Sequence, residues 1–364
     1  MCGGNPKHDA YGFRHWQGSS AFAQQFGSDK QGGFEGFLGA LWEAAFCVVG
    51  PEYVSMIAGE AVRPSIHVKT AFKVIYWRMA IFFVGSCLAV GTIIAYNDPT
   101  FVAFLSSAQN SSSVSASPYL IAMQNLGIRI LPSVVCALLV TTIFSAGNTY
   151  VYAATRTLHS LAEAGHAPKQ LRYCTKNGVP IYCLLVVVLC FPLISLIQLS
   201  SSSARALAML LQMITPSGLI NFIVICITYL QFHKACKVQG VDRSKLPYCG
   251  RFQPYCGWIA LVWMILILIL QDYTALYPWS TMEFFIHYAM VIFAVCLFFG
   301  WKLLKKTRFV RPCEMDLVWE GPAIDAYEAS FQHPPIGFWR EVLQMFGFGG
   351  RNNGHKERAE SLSA

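Results

Sequence analysis

Apolar residues in this chain fall in long blocks, and the charged residues gather in the short stretches between them. A helix rises 1.5 Å per residue, so about 20 residues cross the roughly 30 Å hydrocarbon core of a bilayer. Seven blocks are long enough: Phe34 to Ala58, Phe72 to Ala95, Ile130 to Ala154, Ile181 to Leu199, Ala206 to Leu230, Tyr255 to Leu270 and Phe284 to Leu304. The expected fold class is therefore all-α integral membrane, with about seven transmembrane helices.

The charge pattern gives these helices an orientation, because Lys and Arg in short loops stay on the cytoplasmic side. Arg63, Lys69, Lys73 and Arg78 follow the first span; Arg156, Lys169, Arg172 and Lys176 follow the third. Lys234, Lys237, Arg243, Lys245 and Arg251 follow the fifth, and Lys302, Lys305, Lys306, Arg308 and Arg311 follow the seventh. The alternate loops are nearly bare, with no basic residue in 96–119, only Arg205 in 198–205 and none in 271–283. Strict alternation supports the seven-span count and puts the C-terminus inside. The sequon Asn110-Ser111-Ser112 then falls outside, in a Ser-rich connector over 106–117.

With an odd number of spans, Met1 to Gly33 lies outside, yet it has no apolar signal segment to export it. Two expectations are open: a short tail that crosses unaided, or a natural protein that begins further upstream. The domain expectation is an outer or truncated segment at 1–33, a membrane domain at 34–311 and a cytoplasmic tail at 312–364. That tail holds an amphipathic stretch, Ile336 to Phe346, expected to rest on the bilayer interface.

Composition agrees and narrows the chemistry. Of 364 residues 55% are hydrophobic and 13% charged, too little polar surface to cover a soluble globule. The net charge of +8 accompanies no nucleic-acid motif and reads as a topology signal. Most of the thirteen cysteines sit inside apolar runs with no C-x-x-C, so neither a disulfide framework nor a metal site is expected. His159, His166 and His233 read as loop residues without ligand spacing, and no catalytic constellation is present, so an enzyme is not expected.

One interruption stands out: Ala44 to Tyr53 is an apolar run broken by Gly50-Pro51 and followed at once by Glu52. Pro51 has no N–H, so the Cys47 carbonyl loses its helical partner, and Gly50 lets the backbone unwind. Freed carbonyls beside a carboxylate suit an ammonium group, while the N–H groups of the next half-helix suit a carboxylate. An ordinary proline kink is the other reading. Glu52 tips the balance toward a site, since an ionisable group at membrane depth is costly to keep.

On the third span, Ser145, Asn148 and Tyr152 share one face, either bonding to a neighbouring helix or lining a path. The fifth block is interrupted at Thr215-Pro216-Ser217-Gly218, with Gln212 and Asn221 nearby, which reads as packing or a gate.

Several of these motifs together resemble fungal amino acid permeases, the yeast amino acid transporter family of the amino acid-polyamine-organocation superfamily. They are Ala45-Phe46 through Gly50-Pro51-Glu52, Ala58 to Pro64, Tyr76-Trp77-Arg78 and Tyr96 to Pro99. Ser145 to Asn148, continuing through Arg156-Thr157-Leu158 to Gly165-His166-Ala167-Pro168, and Lys234 to Gly240 complete the set. The resemblance implies a twelve-span transporter of two inverted five-helix repeats plus two extra helices, importing amino acids with protons at the plasma membrane. This chain would hold spans six to twelve, and so one half of the substrate site.

On the same resemblance, Phe46, Cys47, Val48 and Gly50 would meet the substrate, Glu52 is the acid of the motif, and Ser145 and Asn148 would line the eighth span. Pro51 stands where many relatives have Thr or Ser, a departure that leaves the substrate unassigned. Lys234 to Gly240 and Ser201 to Ala204 lean toward the dicarboxylic branch. No cofactor is implied beyond the coupling proton; trafficking or ubiquitylation machinery would engage the tail. A permease-like sensor that no longer transports is the alternative function.

Overall fold

The computed structural model describes residues 8, 12–13, 16, 30–47, 52–56, 58–61, 63–95, 98, 102, 117–128, 130–176, 178–197, 213–246, 248–250, 252–270, 281–318 and 321–330. Every regular element among them is a helix. In chain order these are α1 (Lys30–Cys47), α2 (Tyr53–Met56), α3 (Pro64–Ile93), α4 (Pro118–Asn125) and α5 (Leu131–Glu163). After them come α6 (Ile181–Ile197), α7 (Ile214–Val238), α8 (Tyr255–Leu270), α9 (Thr281–Lys305) and α10 (Gly321–Ala329). A π-helical turn, Ala80–Val84, lies within α3. Residues 1–315 and 316–364 are two compact units, and α10 belongs to the second.

Four described stretches are long and apolar enough to cross a bilayer: Pro64–Ile93, Leu131–Glu163, Ile214–Val238 and Tyr288–Lys305; α8 is apolar but shorter. Their surfaces invert the usual rule for proteins in water. Trp77, Phe82, Phe144, Ile259 and Leu297 face outward, Phe144 with 79% of its surface exposed, and hydrocarbon is the solvent that such a surface fits.

Helix ends depart from the apolar blocks because hydropathy marks where lipid is met, whereas a helix runs as far as its backbone hydrogen bonds do. The sixth block coincides with α8. α3 starts earlier than its block, at Pro64, whose missing N–H leaves no bond unmade in the first turn. α5 runs on to Glu163 and α7 to Val238, so His159 and His233, read as loop residues, are helical, and His233 is buried. Thr215-Pro216-Ser217-Gly218, read as an interruption, occupies the first turns of the described helix α7, where proline is tolerated. Gln212, the Ser-rich connector, the sequon and Ile336 to Phe346 lie outside the described residues.

Two of the long helices stop in the same way. Gly165 (φ 75°) and Gly240 (φ 70°) take the left-handed conformation just past α5 and α7. His166 N–H then bonds back to Leu161 O at 2.9 Å, and Val241 N–H to Cys236 O at 3.0 Å, satisfying carbonyls that the helix leaves open. After α5 the chain folds onto α6 through one carbonyl: Leu171 O accepts from the buried Cys183 Sγ at 3.1 Å and faces His159 Nδ1 at 3.3 Å. After α7, Asp242 accepts from Ser244 N–H at 3.0 Å, which holds its carboxyl below the usual carboxylate range.

α7 packs on α8, α9 and α1, and α5 packs on α6, α4 and α2. Tyr288 Oη donates to Ile269 O at 2.8 Å, tying α9 to the last turn of α8. Beyond α9 the chain returns to α7: Gln239 Nε2 donates to Pro312 O at 3.0 Å and to Met315 O at 2.7 Å. Each such exposed bond contributes about 1 kcal/mol. Gln239→Ala is therefore expected to free this segment, and limited trypsinolysis after Arg308 should quicken several-fold with the helical content unchanged.

Candidate functional site

The interruption expected at Gly50-Pro51 lies outside the described residues, but the helices on either side of it are described. α1 ends at Cys47 and helix resumes at Tyr53, with Glu52 in a turn ahead of it. The Glu52 carbonyl accepts from Ser55 N–H at 3.0 Å and from the Ser55 hydroxyl, so its backbone closes the single turn of α2. Ala58–Glu60 then forms a 3-10 turn before α3 begins.

The two halves of this broken span rest on different neighbours. α1 packs against α7 and α8, whereas α2 packs against the neighbouring α3 and against α5. The contact between α2 and α5 is aromatic: the rings of Tyr53 and Tyr150 meet edge to face, with centroids 5.8 Å apart and planes at 84°. That geometry sets the positive edge of one ring on the negative face of the other, worth about 1 kcal/mol beyond the area it buries. Break, acid and aromatic clasp thus occupy adjacent positions, and the clasp fixes α2 to a helix that α1 does not use as its main support.

Of the residues read as site residues, Cys47 closes α1 and is exposed, and Glu52 is half-buried. Phe46 is the penultimate residue of α1; its side chain, Val48, Gly50 and Pro51 lie outside the described residues. Ser145 and Asn148 are exposed on α5, and the Ser145 carbonyl accepts from Thr149 Oγ1 at 3.1 Å. At 100° per residue, Tyr150 stands roughly 170° round the helix from the Ser145, Asn148 and Tyr152 stripe. The structure therefore joins α2 to α5 through Tyr150, and Ser145 and Asn148 form a separate polar surface. Tyr152 on that surface lies under Arg156, whose guanidinium carbon is 5.4 Å from the ring centroid.

Tyr53 and Tyr150 are the members of the site that the sequence reading passes over. Both lie inside motifs singled out there, but a tyrosine in an apolar run gives no sign of its partner. Among the described residues no group of three or more His, Cys, Asp or Glu side chains is placed to hold a metal ion.

Four long helices that turn apolar side chains outward define a multi-pass helical membrane protein. Residues 1–312 match the amino acid permease family, and the chain belongs to it. It is 42% identical over 338 residues to the general amino acid permease AGP2 of Saccharomyces cerevisiae, covering 90% of this chain and 56% of that protein. The dicarboxylic amino acid permease of the same yeast is 32% identical, over 87% of this chain and 52% of the relative. The proline-specific permease of Emericella nidulans is 33% identical, over 86% and 57%. The chain spans about half the length of these curated relatives, which are permeases and not enzymes. No solved structure gives a significant match.

Proposed function

We propose that this protein takes part in amino acid transport across the plasma membrane, importing its substrate together with a proton by alternating access. The observation that carries the reading is the pair of helices on either side of Glu52, α1 resting on α7 and α8, and α2 on α3 and α5. A substrate bound at such a break touches two bodies at once, which is what coupling of binding to a rocking motion requires. These relatives are all named as amino acid permeases, which favours transport over sensing alone.

The proposed binding set is Phe46, Cys47, Val48, Gly50 and Glu52; Ser145 and Asn148, the proposed lining of the eighth span, stand apart from it on the face of α5 opposite the clasp. We place residues 34–311 in the membrane as seven spans, the second five-helix repeat and two further helices of a twelve-span arrangement. On that topology the basic loops are cytoplasmic and residues 312–364 form a cytoplasmic tail, the segment open to trafficking or ubiquitylation machinery.

Uptake of labelled amino acids, offered one at a time to a host whose own permeases have been removed, tests the reading. A subset of substrates is expected to accumulate, with the rate falling about tenfold when a protonophore collapses the gradient, in line with a coupling worth one pH unit or more. Accumulation that ignores the protonophore overturns proton coupling. Absence of uptake for every amino acid overturns transport and leaves the sensor.

A further inference from the structure

A cavity of about 380 Å³ lies along the first turns of α3 and belongs to no part of the proposed substrate site. Residues four apart stack on one helix face. Its walls accordingly form two parallel rows: an apolar row of Pro64, Val68, Phe72 and Tyr76, and beside it a polar row of Ser65, Lys69 and Lys73. Tyr248, from the loop after α7, closes the side of the cavity. That loop is braced on either side of Tyr248, because Arg243 Nη2 donates to Gln253 Oε1 at 3.2 Å and to Tyr229 Oη at 3.1 Å.

Depth narrows the choice of ligand. α3 has 30 residues, about 45 Å of helix, against a hydrocarbon core of roughly 30 Å. About ten residues must therefore lie among headgroups, and the basic residues Lys69, Lys73 and Arg78, ahead of the uncharged run from Met79, show that these are at the Pro64 end. Lysine stems lie along apolar surface while their ammonium groups reach the polar layer. A row of cations beside a row of hydrocarbon, at headgroup depth, matches a molecule with a negative head and a greasy tail.

We infer that this cavity holds an anionic phospholipid of the inner leaflet, its phosphate at Lys69 and Lys73 and an acyl chain along Val68, Phe72 and Tyr76. A soluble phosphate ester leaves the apolar row uncovered, and a zwitterionic lipid gains no net attraction from two ammonium groups. The leaflet assignment rests on the orientation proposed above; the binding itself does not rest on transport.

Native mass spectrometry of the full chain, released from micelles holding equal phosphatidylserine and phosphatidylcholine of matched acyl chains, tests it. Retention of phosphatidylserine is expected to exceed that of phosphatidylcholine about tenfold, as two juxtamembrane lysines allow. The preference should vanish in K69Q/K73Q and return in K69R/K73R, which shows that charge and not loss of folding is at issue. Glycerophosphoserine at the same concentration should not displace the lipid. Equal retention of the two lipids, a preference that survives K69Q/K73Q, or displacement by glycerophosphoserine each overturns the inference. Labelling of Lys69 or Lys73 by an impermeant amine reagent on intact cells overturns the leaflet assignment, and the orientation with it.

Discussion

Uptake by cells expressing Glu52→Gln is expected to fall about a hundredfold, the equivalent of about 3 kcal/mol, at unchanged surface abundance. Glutamine keeps the size and hydrogen-bonding reach of glutamate but can neither carry the charge nor take up the proton. The backbone of Glu52 already serves α2 through Ser55, so the substitution leaves the turn intact and isolates the side chain. On the proposed topology Glu52 is a carboxylate, half-buried, at membrane depth, where ionisable groups are retained chiefly for function. Such a place is consistent with a group used in the cycle. On the proposed binding set, Gly50→Leu should reach the same loss by a different route, since a side chain at that position would oppose the close approach of substrate. Rates within twofold of the parent in both variants would move the site elsewhere.

Much of this arrangement is legible in the sequence because it depends on one segment at a time. Gly50-Pro51 suggests a break from sequence alone; those two residues lie outside the described ones, while α1 is described to Cys47 and α2 from Tyr53. Composition alone identifies apolar spans, and α8 falls on its predicted limits. Where the reading slips, the cause is a polar helix end. His159 and Glu163 extend α5 beyond the apolar block, and only Gly165, followed by His166-Ala167-Pro168, marks the true stop.

Contacts between distant segments leave a weaker trace. The stripe of Ser145, Asn148 and Tyr152 is visible because periodicity within one helix is visible, and it draws attention to that face. Tyr150 lies nearly opposite, and nothing in its own surroundings names Tyr53, almost a hundred residues earlier, as its partner. Two tyrosines flanking motifs already marked as unusual were the available signal. A paired aromatic clasp is a sensible search once a broken span is suspected, because a half-helix of one turn needs an outside hold.

That need leads to the second expectation. Tyr53→Ala and Tyr150→Ala should each lower the rate of uptake roughly fivefold, with the double substitution no worse than either alone. A single turn of helix does not sustain itself, since its nucleus fixes several dihedral angles for one hydrogen bond. α2 is four residues long, and its clasp to α5 is the Tyr53–Tyr150 edge-to-face pair. Releasing either ring loosens the whole turn, including the Ser55 bonds that seat Glu52, so the second loss finds nothing left to remove. The cycle should return a coupling of about 1 kcal/mol in both uptake and thermal stability of the purified protein. Phenylalanine at either position keeps the ring and should behave as the parent. Losses that simply add would show that the rings act independently, and α2 would then owe its place to some contact other than Tyr150.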